Sequence, residues 1–343
     1  MSFSAFEGGT ALKTVKINFS DFWKGFDPNN NFLINVLRER YDVQISDDPD
    51  YLFFSCFGLE HTLFDGVKIF YTGEDVSPDF NFCDYAIGFD EIQFGDRYLR
   101  FPIFTHRRGF AEAMVKHHVT DADIAQKDKF CNFVYSNKKA NPIRGQFFEM
   151  LSQYKRVDSG GGYLNNVGGP VRDKLAFQSR YKFSIAFEND KSEGYTTEKI
   201  TDAFAAKTVP IYWGNPHVAQ DFNAKAFINC NDFATFEDVI ERVKEIDEDD
   251  ALFRAMLEEP IFTPENKPER FSVDRLREFL FAIFDQPLES ASRRSRYSWQ
   301  RFVIEDQQNI VAKMLKRENS KVIRKLRSIY YTLLNTLHKI RKS

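Results

Sequence analysis

"FENDKSEGYTTEKITDAFAAKTVPIYWG", residues Phe187 to Gly214, decides how this chain is read. The apolar run Tyr181–Phe187 leads into it and reads as a buried strand, and a second such run, Thr208–Trp213, closes it. Between them acidic, amide, phenolic and ammonium groups follow in quick succession, after which Thr197–Lys207 carries a helical pattern. Strand, polar turn, helix and strand make a βαβ unit. The polar turn then falls at the C-terminal end of a parallel strand, where open α/β sheets hold their ligands.

The turn has chemistry to match. Glu188 and Asn189 leave the strand there, and the helix start presents free backbone N–H groups and the positive end of its dipole. Such a start suits an anion, above all a diphosphate. Lys199 stands in the first helical turn, where a cation is unfavourable unless an anion compensates it. The simpler alternative is that Thr196 or Thr197 caps the helix, Glu198 complements the dipole and Lys199 is solvated.

Working outward, the first half of the chain alternates short apolar runs with helical patterns. Thr14–Phe19 reads as a strand and Asn31–Tyr41 as an amphipathic helix, followed by strands at "DVQIS", Tyr51–Phe57, Val67–Gly73 and Asp84–Phe89. A polar segment, "TDADIAQKDK", precedes a restart of the pattern at Phe130–Asn137, so the domain boundary is placed there. The helix in "NPIRGQFFEMLSQY" opens on Pro142, where a first turn tolerates it. Ser159–Pro170 reads as a mobile loop, Lys225–Cys230 as a strand, and Thr235–Ile246 and Val273–Phe284 as helices. Residues 1–127 and 128–290 thus form two Rossmann-like α/β domains, expected to face each other across a cleft, with 291–343 as a helical tail.

Composition fits a globular protein: 343 residues, 43% hydrophobic and 28% charged, are enough for two cores. Aromatics reach 16%, chiefly through 37 Phe, which points to core packing before sugar stacking. The net charge of −3 hides an asymmetry: residues 317–343 hold eight Lys or Arg and one acid, which leaves −10 on residues 1–316. An acidic body argues against nucleic acid as a partner. Cys56, Cys83, Cys131 and Cys230 are widely spaced, fitting neither a zinc site nor a disulfide framework, so a reducing cytosol is expected. "MSFSAFEGGTALK" lacks the pattern of a signal peptide, and no run approaches the ~18 apolar residues of a membrane span.

"FSIAFENDKSEGYTTEKITDAFAAKTVPIYWG" resembles the signature of the α-1,3/4-fucosyltransferases of glycosyltransferase family 10, with its F-E-N, Y-x-T-E-K and V-P-I/V-x-x-G elements. Phe70–Phe104 is similar to the acceptor-domain stretch of bacterial members, and together with Arg144 in "NPIRGQFFE" the likeness covers most of residues 65–285. The resemblance implies the GT-B fold and an inverting transfer of L-fucose from GDP-fucose. It implies that Glu198 hydrogen-bonds ribose or sugar hydroxyls, that Lys199 and Arg144 neutralise the diphosphate, and that Asn189 and Tyr195 line the same pocket. A guanidinium fork suits phosphate oxygens, although an Arg near a helix start is more often a surface residue.

An inverting displacement needs a base for the acceptor hydroxyl, and a carboxylate is the usual choice. The resemblance points to Glu74 in "FYTGED", after a buried strand and beside Gly73; Asp75 is its rival. No metal site is expected, and no cofactor is required beyond the donor, a divalent metal being at most stimulatory. The D-x-D at Asp247 and Asp249 reads as a solvated helix end, and Asp48–Asp50 and Asp121–Asp123 are equally weak. The glycines of 160–169 lack the G-K-[ST] of a phosphate loop, and His106, His117, His118 and His217 show no ligand spacing.

In the tail, Val322, Leu326, Ile329, Leu333, Leu337 and Ile340 recur at four- and three-residue steps among basic residues. That is an amphipathic basic helix suited to an anionic membrane surface, with a short dimerising coiled coil as the rival. The expectation is therefore an α-1,3-fucosyltransferase acting on a galactose–N-acetylglucosamine-type glycan in Lewis-type or lipopolysaccharide antigen synthesis. It would be cytoplasmic and peripherally attached to the inner face of the cytoplasmic membrane. The alternatives are a GT-B transferase using another nucleotide sugar, or a non-catalytic membrane-associated carbohydrate-binding protein.

Overall fold

The structure, a computed structural model, describes residues 12–114, 119–295 and 299–318. His117, His118 and the basic repeat from Val322 to Ile340 lie outside the described residues.

Among the described residues eleven strands form two sheets. The first contains β1 (Thr14–Ser20), β2 (Asp42–Ile45), β3 (Tyr51–Phe54), β4 (Val67–Tyr71), β5 (Tyr85–Gly88) and β6 (Tyr98–Arg100), in the order β2-β1-β3-β4-β5-β6. β1 pairs in parallel with β2 and β3, and β3 with β4. The second contains β7 (Lys129–Phe133), β8 (Val157–Ser159), β9 (Tyr181–Phe187), β10 (Val209–Trp213) and β11 (Ile228–Asn229). Its order is β11-β10-β9-β7-β8 and every pair is parallel. Both sheets thus arise from the strand–helix alternation read in the sequence, and the chain is α/β with two parallel-sheet domains.

Eleven α-helices are described: α1 (Phe32–Arg38), α2 (Arg108–Met114), α3 (Asp121–Ala125), α4 (Ile143–Ser152), α5 (Lys174–Gln178) and α6 (Glu198–Ala205), then α7 (Phe236–Glu248), α8 (Asp250–Glu258), α9 (Val273–Phe284), α10 (Leu288–Ala291) and α11 (Trp299–Glu318). By their contacts the described residues of 12–71, 78–86 and 283–318 form one compact unit, and Thr72–Ser77 with Ile87–Ala282 form the other. In the first unit Asp84, fully buried, accepts hydrogen bonds from the backbone N–H groups of Arg293 and Arg294 at 2.8 and 2.9 Å and pairs with the Arg294 guanidinium at 2.9 Å. That carboxylate straps the C-terminal segment onto its own sheet.

The second unit has a core on each face of its sheet. On one, Phe133, Phe183 and Phe187 pack with Phe147 of α4, Val243 of α7 and Phe253 of α8. On the other, Ala186 and Tyr212 meet Ile200 and Phe204 of α6, with Phe104, Phe222 and Phe271 beyond them. Part of the phenylalanine excess packs here: the rings of Phe147 and Phe187 lie 4.9 Å apart, and those of Phe104 and Phe271 5.0 Å apart. Each such ring, fully buried, contributes roughly 1.5–3 kcal/mol.

Two readings of the sequence need correction. Asp247 is not on a solvated helix end. It is 7% exposed, accepts a hydrogen bond from Tyr154 at 3.0 Å, and forms ion pairs with Lys155 and Lys182. The loop after β8 is tied down by its asparagines: Asn166 accepts from the Ser159 backbone N–H at 2.7 Å, and Asn165 donates to Gly161 O at 2.7 Å.

Candidate active site

In the second sheet, β7 runs through α4 to β8 on one side, while β9 runs through α6 to β10 on the other. The strand order therefore reverses between β7 and β9, and the C-terminal ends of these strands are where open α/β sheets hold their ligands. The segments leaving those two strands meet there. Asn141, after β7, donates its backbone N–H to Asn189 O at 2.9 Å and its side-chain amide to Asp190 at 3.2 Å.

Arg144, in the first turn of α4, is 2% exposed. Its guanidinium lies over the Tyr135 ring at 4.6 Å, donates to Asn189 Oδ1 at 3.2 Å and donates to Asn137 O at 3.0 Å. Its Nε is buried and has no hydrogen-bond partner among the described residues. A buried cation at a helix start with a spare donor is unusual, since the dipole opposes it and buried donors are normally satisfied. The arrangement is poised for an anion.

The helix that follows β9 starts differently from expectation. Thr197 is the N-cap of α6, but no side chain caps the helix. The Thr197 hydroxyl instead donates to Glu188 Oε2 at 2.8 Å and its backbone N–H donates to Glu188 Oε1 at 2.7 Å. Lys199 Nζ pairs with Glu188 Oε2 at 2.8 Å and also donates to Thr197 Oγ1 at 2.7 Å. The anion that the misplaced cation calls for is thus supplied by the protein, through a carboxylate that is fully buried. An ammonium has three donors, so one of the three on Lys199 remains for a ligand. Sequence reasoning gave Glu188 no role; its place directly after a buried strand, inside F-E-N, was the available signal.

Glu198 points to the same region. Burial alone would raise its carboxyl pKa, but Lys199, Lys174, its own backbone N–H and Arg107 outweigh that and hold it below the usual value. The Tyr195 side chain, 2% exposed, has its hydroxyl pKa pushed up, first by burial and then by the charges of Glu188, Glu74, Asp75 and Glu198. A single phenol therefore feels both the carboxylates of the α6 start and those after β4. The turn Thr72–Ser77, although it follows a strand of the first sheet, belongs to the second unit with these residues.

The two candidate bases differ in their engagement. Asp75 accepts a hydrogen bond from Ser192 Oγ at 2.5 Å, and its pKa is raised, by burial foremost and by Asp190 and Asp90, against that hydrogen bond. Glu74 is exposed, and its backbone N–H is fixed by Thr72 Oγ1 at 3.0 Å. Glu74 has the accessible carboxylate.

The polar loop itself is clamped on both sides. Gly194 has φ +76°, and a Cβ there would stand 2.5 Å from Phe89 O, so only glycine fits. Its N–H donates to Asn215 Oδ1 at 2.8 Å, and the amide of that buried asparagine donates to Thr196 Oγ1 at 3.1 Å. Phe89 packs its ring edge-on to Tyr195 at 5.1 Å. Among the described residues no three His, Cys, Asp or Glu side chains group for a metal ion. His217 pairs with Glu91 at 2.8 Å, while Asp123 completes the N-terminal cap of α3 with Thr120 and pairs with Lys207 at 2.9 Å.

Two parallel α/β sheets with polar groups at a switch point are compatible with a GT-B glycosyltransferase fold, and comparison with known proteins shows that fold. A solved structure titled "Crystal Structure of alpha1,3-Fucosyltransferase with GDP-fucose" superposes with a TM-score of 0.70 at 31% identity, over 83% of this chain and 94% of that one. Residues 17–106 match the family profile described as "Alpha-(1,3)-fucosyltransferase FucT N-terminal domain", and residues 124–258 match "Glycosyltransferase family 10 (fucosyltransferase) C-term". This chain belongs to glycosyltransferase family 10, the fucosyltransferases, a family of enzymes. Among its relatives, "Alpha-(1,3)-fucosyltransferase FucT" of Helicobacter pylori is 35% identical over 297 residues, covering 74% of this chain. The match spans 62% of the length of that relative. A "3-galactosyl-N-acetylglucosaminide 4-alpha-L-fucosyltransferase" of Bos taurus is 32% identical over 134 residues, 38% of this chain and 36% of its own.

Proposed function

We propose that this chain transfers L-fucose from GDP-fucose, with inversion, to an N-acetylglucosamine hydroxyl of a galactose–N-acetylglucosamine-type glycan, favouring the α-1,3 linkage of Lewis-type antigens. The observation that carries the proposal is the convergence of Arg144, Asn189, Tyr195, Glu198 and Lys199 at the switch point of the second sheet. Support for the donor comes from a relative solved with GDP-fucose, and for the acceptor from the name of the bovine relative.

The chemistry is one displacement. The acceptor oxygen attacks fucose C1 as the bond from C1 to the phosphate oxygen breaks on the opposite face. Glu74 takes the acceptor proton, and GDP leaves with the extra negative charge on its terminal phosphate. Arg144, through its unpartnered Nε, and Lys199, through its remaining N–H, neutralise that charge as it grows. Preorganised donors of this kind are worth about 3–4 kcal/mol each in comparable sites. Glu198 and Asn189 hold hydroxyls of the donor, and Tyr195 closes the pocket wall. The donor needs no further cofactor, and a divalent metal would at most stimulate.

Binding of GDP and of UDP by calorimetry, with chelator present, tests the donor and the clamp together. GDP heat without UDP heat agrees with the proposal; UDP winning, or neither binding, would remove the donor assignment. The proposal extends to the basic tail, residues 317–343, as a peripheral attachment to the inner face of the cytoplasmic membrane. A protein ending at residue 317 should no longer float with anionic liposomes. Continued flotation would place the anchor elsewhere.

A further inference from the structure

We infer that a cavity of about 530 Å³, walled by Arg100, Arg270 and Arg275, binds an acidic sugar of the acceptor glycan, carboxylated or phosphorylated. This rests on the fucosyl-transfer reading and adds a substrate class to it. Three guanidinium groups come together from three elements: Arg100 from β6, Arg270 from the 3-10 turn Pro268–Phe271, and Arg275 from the first turn of α9.

Their charges are not balanced from within. Asp221, fully buried, is chelated by Arg100 at 2.8 and 2.7 Å and lies 3.6 Å from Arg270. Glu91, the other carboxylate on the wall, pairs with His217 at 2.8 Å and stands 3.9 Å from Arg100. Arg275 donates to Arg270 O at 3.0 Å and has no carboxylate partner among the described residues. Its neighbour Asp274 bonds Arg277. Three guanidinium charges thus meet two carboxylates, and the exposed one sits in the first turn of a 12-residue helix, where the dipole disfavours a cation and favours an anion. Guanidinium forks match carboxylate and phosphate oxygens alike. The exposed Ile92 and Phe94 border the same space and offer an apolar edge to the C–H face of a sugar ring.

The cavity shares its wall with the donor loop. Arg100 Nε donates to Phe89 O at 3.0 Å, and its Nη2 reaches Gly194 O at 3.5 Å, one residue before Tyr195. Asn215 Oδ1 accepts from both Gly194 N and His217 N, which couples the Glu91 side of the wall to the same loop. An acid group seated here lies against the segment that carries the pocket tyrosine.

The test compares three acceptors: neutral N-acetyllactosamine, the same disaccharide capped with sialic acid, and the same disaccharide phosphorylated on galactose. Wild-type protein should show a lower KM for at least one acidic acceptor, and which one separates carboxylate from phosphate. Arg275→Ala should raise that KM roughly 5–20-fold, with Arg275→Lys recovering part of it, while KM for the neutral acceptor and the Kd for GDP stay within about twofold. Equal KM values in wild type, or an equal effect of Arg275→Ala on all three acceptors, overturns the inference. Failure to fucosylate any acceptor would instead overturn the transfer reading. Calorimetry of sialic acid and of galactose 6-phosphate, wild type against Arg275→Ala, then decides the cavity: weaker binding in the variant supports it and equal binding rejects it.

Discussion

Replacing Glu188 with Gln should loosen the start of α6, and the size of the effect follows from its three partners. The carboxylate is fully buried and accepts from the Thr197 backbone, the Thr197 hydroxyl and Lys199, all within 2.7–2.8 Å. An amide of the same shape keeps one oxygen but turns its NH2 toward a donor, and it leaves the Lys199 ammonium, 14% exposed, without its counter-charge. Breaking a buried pair on one side costs about 3–5 kcal/mol, and the residual hydration of Lys199 places this site near the lower end. The thermal midpoint should fall by roughly 6–12 °C. The double variant Glu188→Gln/Lys199→Met removes both charges and should recover to within about 1.5 kcal/mol of wild type. Its affinity for GDP should nevertheless remain at least about tenfold weaker, because the ligand-facing donor is gone. Calorimetry with GDP, run beside thermal denaturation, reads both quantities. If the double variant binds GDP like wild type, Lys199 serves only Glu188 and the clamp argument fails.

Glu74→Gln should lower transfer by about 10²–10⁴-fold with GDP affinity unchanged, while Asp75→Asn, whose carboxylate is already engaged by Ser192, should cost far less; steady-state rates for both variants check this. Gly194→Ala forces a side chain into φ +76° and against Phe89 O, so a loss of about 1–3 kcal/mol and a parallel fall in turnover should appear in denaturation and rate measurements. Burial, helped by Arg107 and opposed by Glu198, holds the His106 imidazole pKa down to about 3, against 6.5 in its ordinary state. Between those values the unfolded chain binds the extra proton, so stability is lost as pH falls from 6.5, by up to about 1.4 kcal/mol per pH unit. Urea titrations from pH 7 to 4 should show that slope reduced in His106→Asn; an unchanged slope would assign the pH dependence to other groups.

Where the sequence was legible, one physical signal dominated. Tyr181–Phe187 and Val273–Phe284 have in the structure the bounds the sequence predicts, because continuous apolar runs and a 3.6-residue repeat are strong and local. The helix expected over Thr197–Lys207 is shorter, Glu198–Ala205, since Lys207 adopts φ +52° and ends the turn beyond it. Strands expected to run to Phe57 and Asn137 stop at Phe54 and Phe133; the loops that follow keep aromatic residues such as Phe57 and Tyr135 and so carry the apolar signal past the strand ends. Lys225–Cys230 holds a 3-10 turn and only a two-residue strand. β6 and β8, three residues each, are too short to show a period. The sequence can single out Asn189, Tyr195, Glu198 and Lys199 together because one motif gathers them around a single strand end, and Arg144 comes from a separate stretch. The pairing of Lys199 with Glu188 was not legible, since partners eleven residues apart meet only once strand and helix have packed. Nor was the chelation of Asp221 by Arg100, which joins positions 121 residues apart.

The central claim is best tested by incubating the protein with GDP-β-L-fucose and N-acetyllactosamine and determining the product's linkage and anomeric configuration by NMR. The account predicts GDP release matched by an α-linked fucose on the 3-hydroxyl of N-acetylglucosamine, with Glu74→Gln slower by about 10²–10⁴-fold. Release of free fucose without a trisaccharide, or a β-linked product, would contradict it.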